Sequence, residues 1–142
     1  FRPALFGQCM APGWKLVCDA VHEFPHVKVW IHSCGSIPGL VGYMAEAGVD
    51  IVSPVQWGAA GMDRQWLKTT FGDRLSFWGG AINTQNTFPF GSADDVRREA
   101  RQCLDIFAPG GGFVVNPIHN VQADVPVANI LALYETARDY RY

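Results

Sequence analysis

The stretch Val27-Lys28-Val29-Trp30-Ile31-His32-Ser33-Cys34-Gly35 reads as a β-strand that runs directly into a His-x-Cys pair. Val27, Val29 and Ile31 alternate with Lys28, Trp30 and His32, in the β-branched and aromatic residue types that strands favour. Residues two apart on a strand share a side, so His32 and Cys34 leave the strand end together. Gly35 then lets the chain turn sharply. An imidazole and a thiol on one side of a strand end supply two ligands of a tetrahedral zinc site, which takes nitrogen and sulfur donors. The plainer reading is a polar strand terminus beside a small inert cysteine. A metal site needs a third ligand from elsewhere in the chain.

Outward from this stretch, strand and helix signals alternate. Upstream, Pro12 followed by Trp14, Leu16, Val17, Ala20, Val21 and Phe24 predicts a helix that stops at Pro25. Downstream, Leu40, Val41, Met44, Ala45 and Ala47 form a helical stripe closed by Gly48. A strand at 50–55 and a helix at 63–71 follow, then a strand over 75–78. Ser92 and Asp95 resemble a capping box, with Val96, Ala100, Cys103, Leu104 and Phe107 behind them at helical spacing. A strand near 112–115 and a helix over 126–140 complete the pattern. One helix followed by four strand–helix units implies a parallel sheet with helices outside it. Four such units are half of an eightfold barrel, and an open half leaves two unpaired edges and an uncovered sheet face. The expectation is therefore an α/β chain forming the C-terminal half of a (β/α)8 TIM-type barrel over residues 1–142, with the amino half missing. A small doubly wound sheet is the alternative.

Composition limits the function classes. The chain has 142 residues, 49% of them hydrophobic, enough for one buried core. Lys+Arg 11 against Asp+Glu 13 gives a net charge of −2 without a basic run, which argues against nucleic acid as a partner. No apolar stretch reaches membrane-spanning length, and residues 1–30 show no charged-then-apolar pattern, so no targeting segment is expected within this stretch. Cys9, Cys18, Cys34 and Cys103 show no disulfide spacing; free thiols in a reducing cytoplasm are expected, with Cys9, Cys18 and Cys103 as packing residues on helices.

The segments that follow the strands are unlike those that precede them. After the four strands stand His32-Ser33-Cys34-Gly35; Pro54-Val55-Gln56-Trp57; Gly79-Gly80 with Asn83, Thr84 and Gln85; and Asn116-Pro117-Ile118-His119-Asn120-Val121-Gln122. The loops entering strands are plain by comparison. In parallel βα folds the carboxyl ends of the strands form one rim, where active sites lie. The third metal ligand is sought there, and His119 is the candidate, with Asn116, Asn120 and Gln122 able to orient its ring or bind substrate. A His satisfying loop carbonyls is the competing reading. Gln56, Trp57 and Gln85 are candidate substrate contacts, and Trp78 is either an aromatic wall or a buried barrel residue. Asp63 is expected to cap a helix, and His22 and His26 to lie on the surface. The irregular stretch 79–91 is long enough to be functional or mobile.

The motifs His32-Ser33-Cys34-Gly35, Gly48-Val49-Asp50-Ile51, Pro54-Val55-Gln56, Phe71-Gly72-Asp73-Arg74, Trp78-Gly79-Gly80 and Pro117-Ile118-His119-Asn120, with Pro126 and Asn129, span essentially the whole chain. Together they make it resemble the C-terminal half of the uroporphyrinogen decarboxylase superfamily. The resemblance implies one of two chemistries: cofactor-free decarboxylation of a porphyrinogen, or methyl transfer between a corrinoid carried by a partner protein and a small acceptor such as a thiol. The second uses zinc held by His-x-Cys and a later Cys. His32 and Cys34 match the first pair, whereas His119 stands about where the later Cys would fall. Zinc-activated methyl transfer, with His32, Cys34 and His119 as ligands and His119 and Cys34 as catalytic residues, is the expectation, because a coordinated thiol is deprotonated outright and catalytic zinc keeps three protein ligands and an open position. Porphyrinogen binding needs arginines to grip carboxylates, and these are scarce on the rim. A non-catalytic homologous fragment is the third possibility.

Overall fold

Three-residue strands form the middle of the molecule, in a computed structural model that describes residues 2–141. β1 (Trp30–His32), β2 (Ile51–Ser53), β3 (Ser76–Trp78) and the two-residue β4 (Phe113–Val114) make one sheet in chain order, every neighbour parallel. Register puts Ile31 beside Val52, Val52 beside Phe77, and Phe77 beside Phe113. Parallel in-register residues point the same way, so this row faces the helices. Val52 and Phe77 are buried there, and Ile31 and Phe113 pack against the same cluster. The alternate positions look the other way, and most of them meet solvent: Trp30 is 47% exposed, Trp78 38% and Val114 38%, whereas Ser53 is buried. Helices therefore cover one face only, as successive right-handed crossovers require. A doubly wound sheet would bury both faces and is excluded. The fold is α/β, a partial (β/α)8 barrel whose interior face is open.

The strands are shorter than the residue pattern predicts, and particular contacts at their ends explain the limits. Val27 N–H turns back to the Phe24 carbonyl, and the Asp50 carboxylate takes the Val29 N–H, so the ladder starts only after Val29. At the other end, Gly79 and Gly80 both adopt positive φ and bend the chain out of the sheet. Single ladder-like bonds still run from Gly79 N–H to Val114 O and from Ala81 N–H to Asn116 O.

Helix boundaries follow their caps. α1 (Pro3–Cys9) was not foreseen; proline at its start supplies the helical φ, and Phe6 is buried edge-on against Trp14 at 5.0 Å. α2 (Ala11–His22) ends before the expected Pro25 stop. α3 (Pro38–Ala47) ends on Gly48 at φ 96°, α4 (Arg64–Phe71) starts on Asp63, whose carboxylate accepts Trp66 N–H, and α6 (Ala93–Phe107) carries the Ser92–Asp95 capping box. A four-residue helix, α5 (Thr87–Phe90), lies inside the stretch expected to be irregular, and α7 (Val127–Asp139) closes the chain. Among the described residues no helix is long and apolar enough to cross a membrane. Cys18 and Cys103 are buried as expected, but Cys9 is exposed: it is the last residue of α1, at the junction with α2, and faces solvent.

Candidate functional site

β1 delivers its two polar residues as strand geometry requires. His32 is the last strand residue and Cys34 lies two further on, and His32 Nε2 stands 3.2 Å from Cys34 Sγ. Ligands about 2.0–2.3 Å from a tetrahedral zinc lie about 3–4 Å from one another, so this pair fits two corners of such a site. Gly35 N–H donates to Gln56 Oε1 at 2.7 Å and Ser36 Oγ to the Ala60 carbonyl at 2.6 Å, which ties the segment after β1 to the segment after β2. Trp57 Nε1–H donates to the Gly80 carbonyl at 2.8 Å and ties the second segment to the third.

These ties enclose a cleft of about 380 Å³ at the carboxyl ends of the strands. Cys34 and Gln56 line it from the first two segments, Thr84 and Gln85 from the third, and Ile118, His119, Asn120 and Gln122 from the fourth. All four strands thus contribute to one concavity, the arrangement in which (β/α)8 enzymes hold substrates. Its lining contains amides, a thiol, an imidazole and a hydroxyl, and no Arg, Lys, Asp or Glu. His119, Asn120 and Gln122 are exposed, and Gln122 Nε2 donates to the Asn120 carbonyl.

Two expected substrate contacts lie elsewhere. Trp57 is held away from the cleft by its bond to Gly80, and the Arg64 guanidinium stacks on its ring at 4.4 Å. Asn116 is half-buried, with its side chain 3.4 Å from the Pro117 carbonyl. Trp78 stands on the open sheet face, in the row that continues His32 and Ser53, the face that a complete barrel turns inward. The expected three-ligand set is not assembled: among the described residues no three His, Cys, Asp or Glu side chains come close enough together to hold a metal. His119 shares the cleft with Cys34 but does not complete the His32–Cys34 pair, because it lies on the segment after β4, three strands away.

The two buried thiols, Cys18 and Cys103, do not compete with Cys34. Burial pushes the Cys103 thiol up to about 11, against the opposing pull of Arg64, whose Nη1 lies 3.1 Å away. Burial, followed by the nearby Asp50 charge, raises Cys18 as well. Thiols kept protonated in this way are inert. His22, expected on the surface, contacts Asp50 Oδ2 at 2.7 Å, at the end of the sheet away from the cleft.

One residue that supports the cleft from behind has no counterpart among the sequence expectations. Glu99 on α6 accepts the Asn83 N–H at 2.6 Å and the Thr87 hydroxyl at 2.5 Å. The signal for it exists: three residues after Val96 and four before Cys103, it is an acidic residue within a core-facing helical stripe.

The family model for uroporphyrinogen decarboxylase (URO-D) matches residues 1–140. No curated protein sequence matches. Among solved structures the chain is similar to a methyltransferase from Methanosarcina mazei, with a TM-score of 0.75 at 21% identity, covering 98% of this chain and 38% of that one. At this identity the likeness is one of fold, and the chain spans well under half of that relative's length.

Proposed function

The chain belongs to the uroporphyrinogen decarboxylase family, and from that premise we propose that it is the C-terminal half of a methyltransferase-type barrel. In this reading it moves a methyl group between a corrinoid on a partner protein and a small acceptor or donor, a thiol or a methoxylated compound. The observation that carries the reading is the 3.2 Å contact of His32 Nε2 with Cys34 Sγ at the mouth of the cleft. Zinc bound there would supply Lewis acidity and keep a substrate thiol as thiolate. The chain itself supplies two ligands of matching geometry. The third is His119, if the fourth segment moves toward β1, or a residue of the remaining barrel. Gln56, Gln85 and Asn120 would orient an uncharged acceptor through their amides. The four further strands of a closed barrel come from elsewhere on a longer chain or from another molecule, in the cytoplasm, where thiols remain reduced.

Cofactor-free decarboxylation is the second reading, favoured by one observation: among the described residues no third ligand joins His32 and Cys34. Against it stands the cleft lining, which offers no Arg or Lys to the several carboxylates of a porphyrinogen. Metal analysis separates the two. Purified wild type is expected to hold about one zinc per chain, and Cys34→Ala and His32→Ala to hold none, whereas Cys103→Ala retains it. Equal zinc in wild type and Cys34→Ala would reject the methyltransferase reading and leave His119 as a substrate contact.

A further inference from the structure

The segment between β3 and α6 carries Thr84 and Gln85 into the cleft, and its conformation is fixed from outside by two helices. Glu99 of α6 grips its first half through the Asn83 N–H (2.6 Å) and the Thr87 hydroxyl (2.5 Å). Asn129 of α7, 2% exposed, grips its second half: its Nδ2 donates to the carbonyls of Phe88 at 2.8 Å and Gly91 at 2.9 Å. Within the segment, Asn83 Oδ1 accepts the Gln85 N–H at 2.8 Å, and Phe88 N–H reaches the Asn83 carbonyl at 2.9 Å. Asn83 is therefore the hinge of the arrangement. Its N–H is held by Glu99, its side chain sets Gln85, and its carbonyl starts the turn into α5.

We infer that Glu99 is a positioning residue, which holds Asn83 so that Thr84 and Gln85 form a preformed wall of the cleft. A half-buried carboxylate on the core-facing stripe of α6 is unfavourable unless its oxygens are satisfied, and both are satisfied by this one segment. Sequence length alone leaves a thirteen-residue connection free to be a mobile lid; two helices clamping it make it a rigid template instead. The inference rests on the cleft being the substrate site proposed above.

Amide hydrogen exchange in the full chain, read beside substrate kinetics, tests it. Glu99→Ala should speed exchange at Asn83 and Gln85 at least about tenfold, while amides of Leu104 and Phe107 in the same helix stay as in wild type. Glu99→Gln should stay within about threefold of wild type, because its amide oxygen still accepts the Asn83 N–H and its nitrogen can donate to Thr87. In methyl transfer with a small thiol acceptor, Glu99→Ala should raise KM about tenfold with kcat within about twofold. Unchanged exchange at Asn83, an increase spread equally through α6, failure of Glu99→Gln to restore protection, or an unaltered KM would each overturn the inference. A wild type that transfers no methyl group would refute the functional reading instead, and the exchange data would then decide alone whether Glu99 fixes this wall.

Discussion

Asp50 shows how much a single side chain organises at the end of the sheet remote from the cleft. Its Oδ2 accepts the Val29 N–H at 2.8 Å and meets His22 Nε2 at 2.7 Å, while Oδ1 takes Lys28 Nζ at 3.0 Å. Burial alone would raise its carboxyl; the His22, Val29 and Lys28 contacts outweigh that and hold it below the ordinary carboxylate value. A carboxyl depressed in the folded state contributes stability that is complete above its unfolded value of about 3.9 and is lost as pH falls through the folded value. Asp50→Ala should therefore cost about 1.5–3 kcal/mol at neutral pH, the range for hydrogen bonds to a charged group. Measured by urea unfolding, the gap between variant and wild type should narrow as pH drops below about 4. A gap independent of pH would show that packing, not the charge, is what the residue supplies. The His32–Cys34 contact was legible at this scale, since it follows from the period of a strand. The roles of Trp57 and Asn116 were not, because a loop side chain turns toward whichever neighbouring segment offers it a partner.

At the scale of elements, the turns after the strands set the shape of the rim. Gly79 and Gly80 sit at φ 81° and 98°, a backbone region open to glycine and costly for other residues. A Cβ on Gly80 would lie 2.7 Å from the Val55 carbonyl oxygen, and one on Gly79 would lie 2.9 Å from that of Pro117. The segment after β3 thus passes between its two neighbours with no room for a side chain. Gly80→Ala should destabilise by at least about 2 kcal/mol, combining the left-handed penalty with a backbone clash. It should also loosen the Trp57–Gly80 bond, visible as a red shift of tryptophan fluorescence. Asp63→Ala tests an ordinary cap on the other side of the same fold: losing the Trp66 N–H acceptor should cost about 1 kcal/mol. A loss below a few tenths in thermal unfolding would count against the cap. Caps and glycine stops were readable from sequence because they act within one turn of chain. The late start of β1 was not, since Asp50, twenty-one residues beyond Val29, decides it.

At the scale of the whole chain, a four-stranded parallel sheet carries helices on one face and leaves the other largely uncovered. Trp30, Trp78 and Val114 face outward where a closed barrel would bury them, and among the described residues β1 and β4 each pair with one strand. Unpaired edges and an exposed apolar face favour association. The isolated chain should sediment as species larger than a monomer, and Trp30→Lys, which puts a charge on the open face next to the β1 edge, should shift it toward monomer. A wild type that stays monomeric at high concentration and unfolds cooperatively would contradict this expectation.

Sequence alone determined the order of strands and helices, the parallel sheet and the pairing of His32 with Cys34, because each depends on local periodicity or on contacts a few residues apart. It also determined that the polar segments share one rim, since parallel strands all present their carboxyl ends at the same edge of the sheet. Tertiary structure decided which rim residues meet. Gln56, Gln85 and His119 line one cleft with Cys34, Trp57 is drawn back against Arg64, and Glu99 reaches the segment that carries Gln85. These outcomes depend on how far the loops from different strands lean toward one another. That is set by hydrogen bonds between segments tens of residues apart, which no pattern within a single segment records.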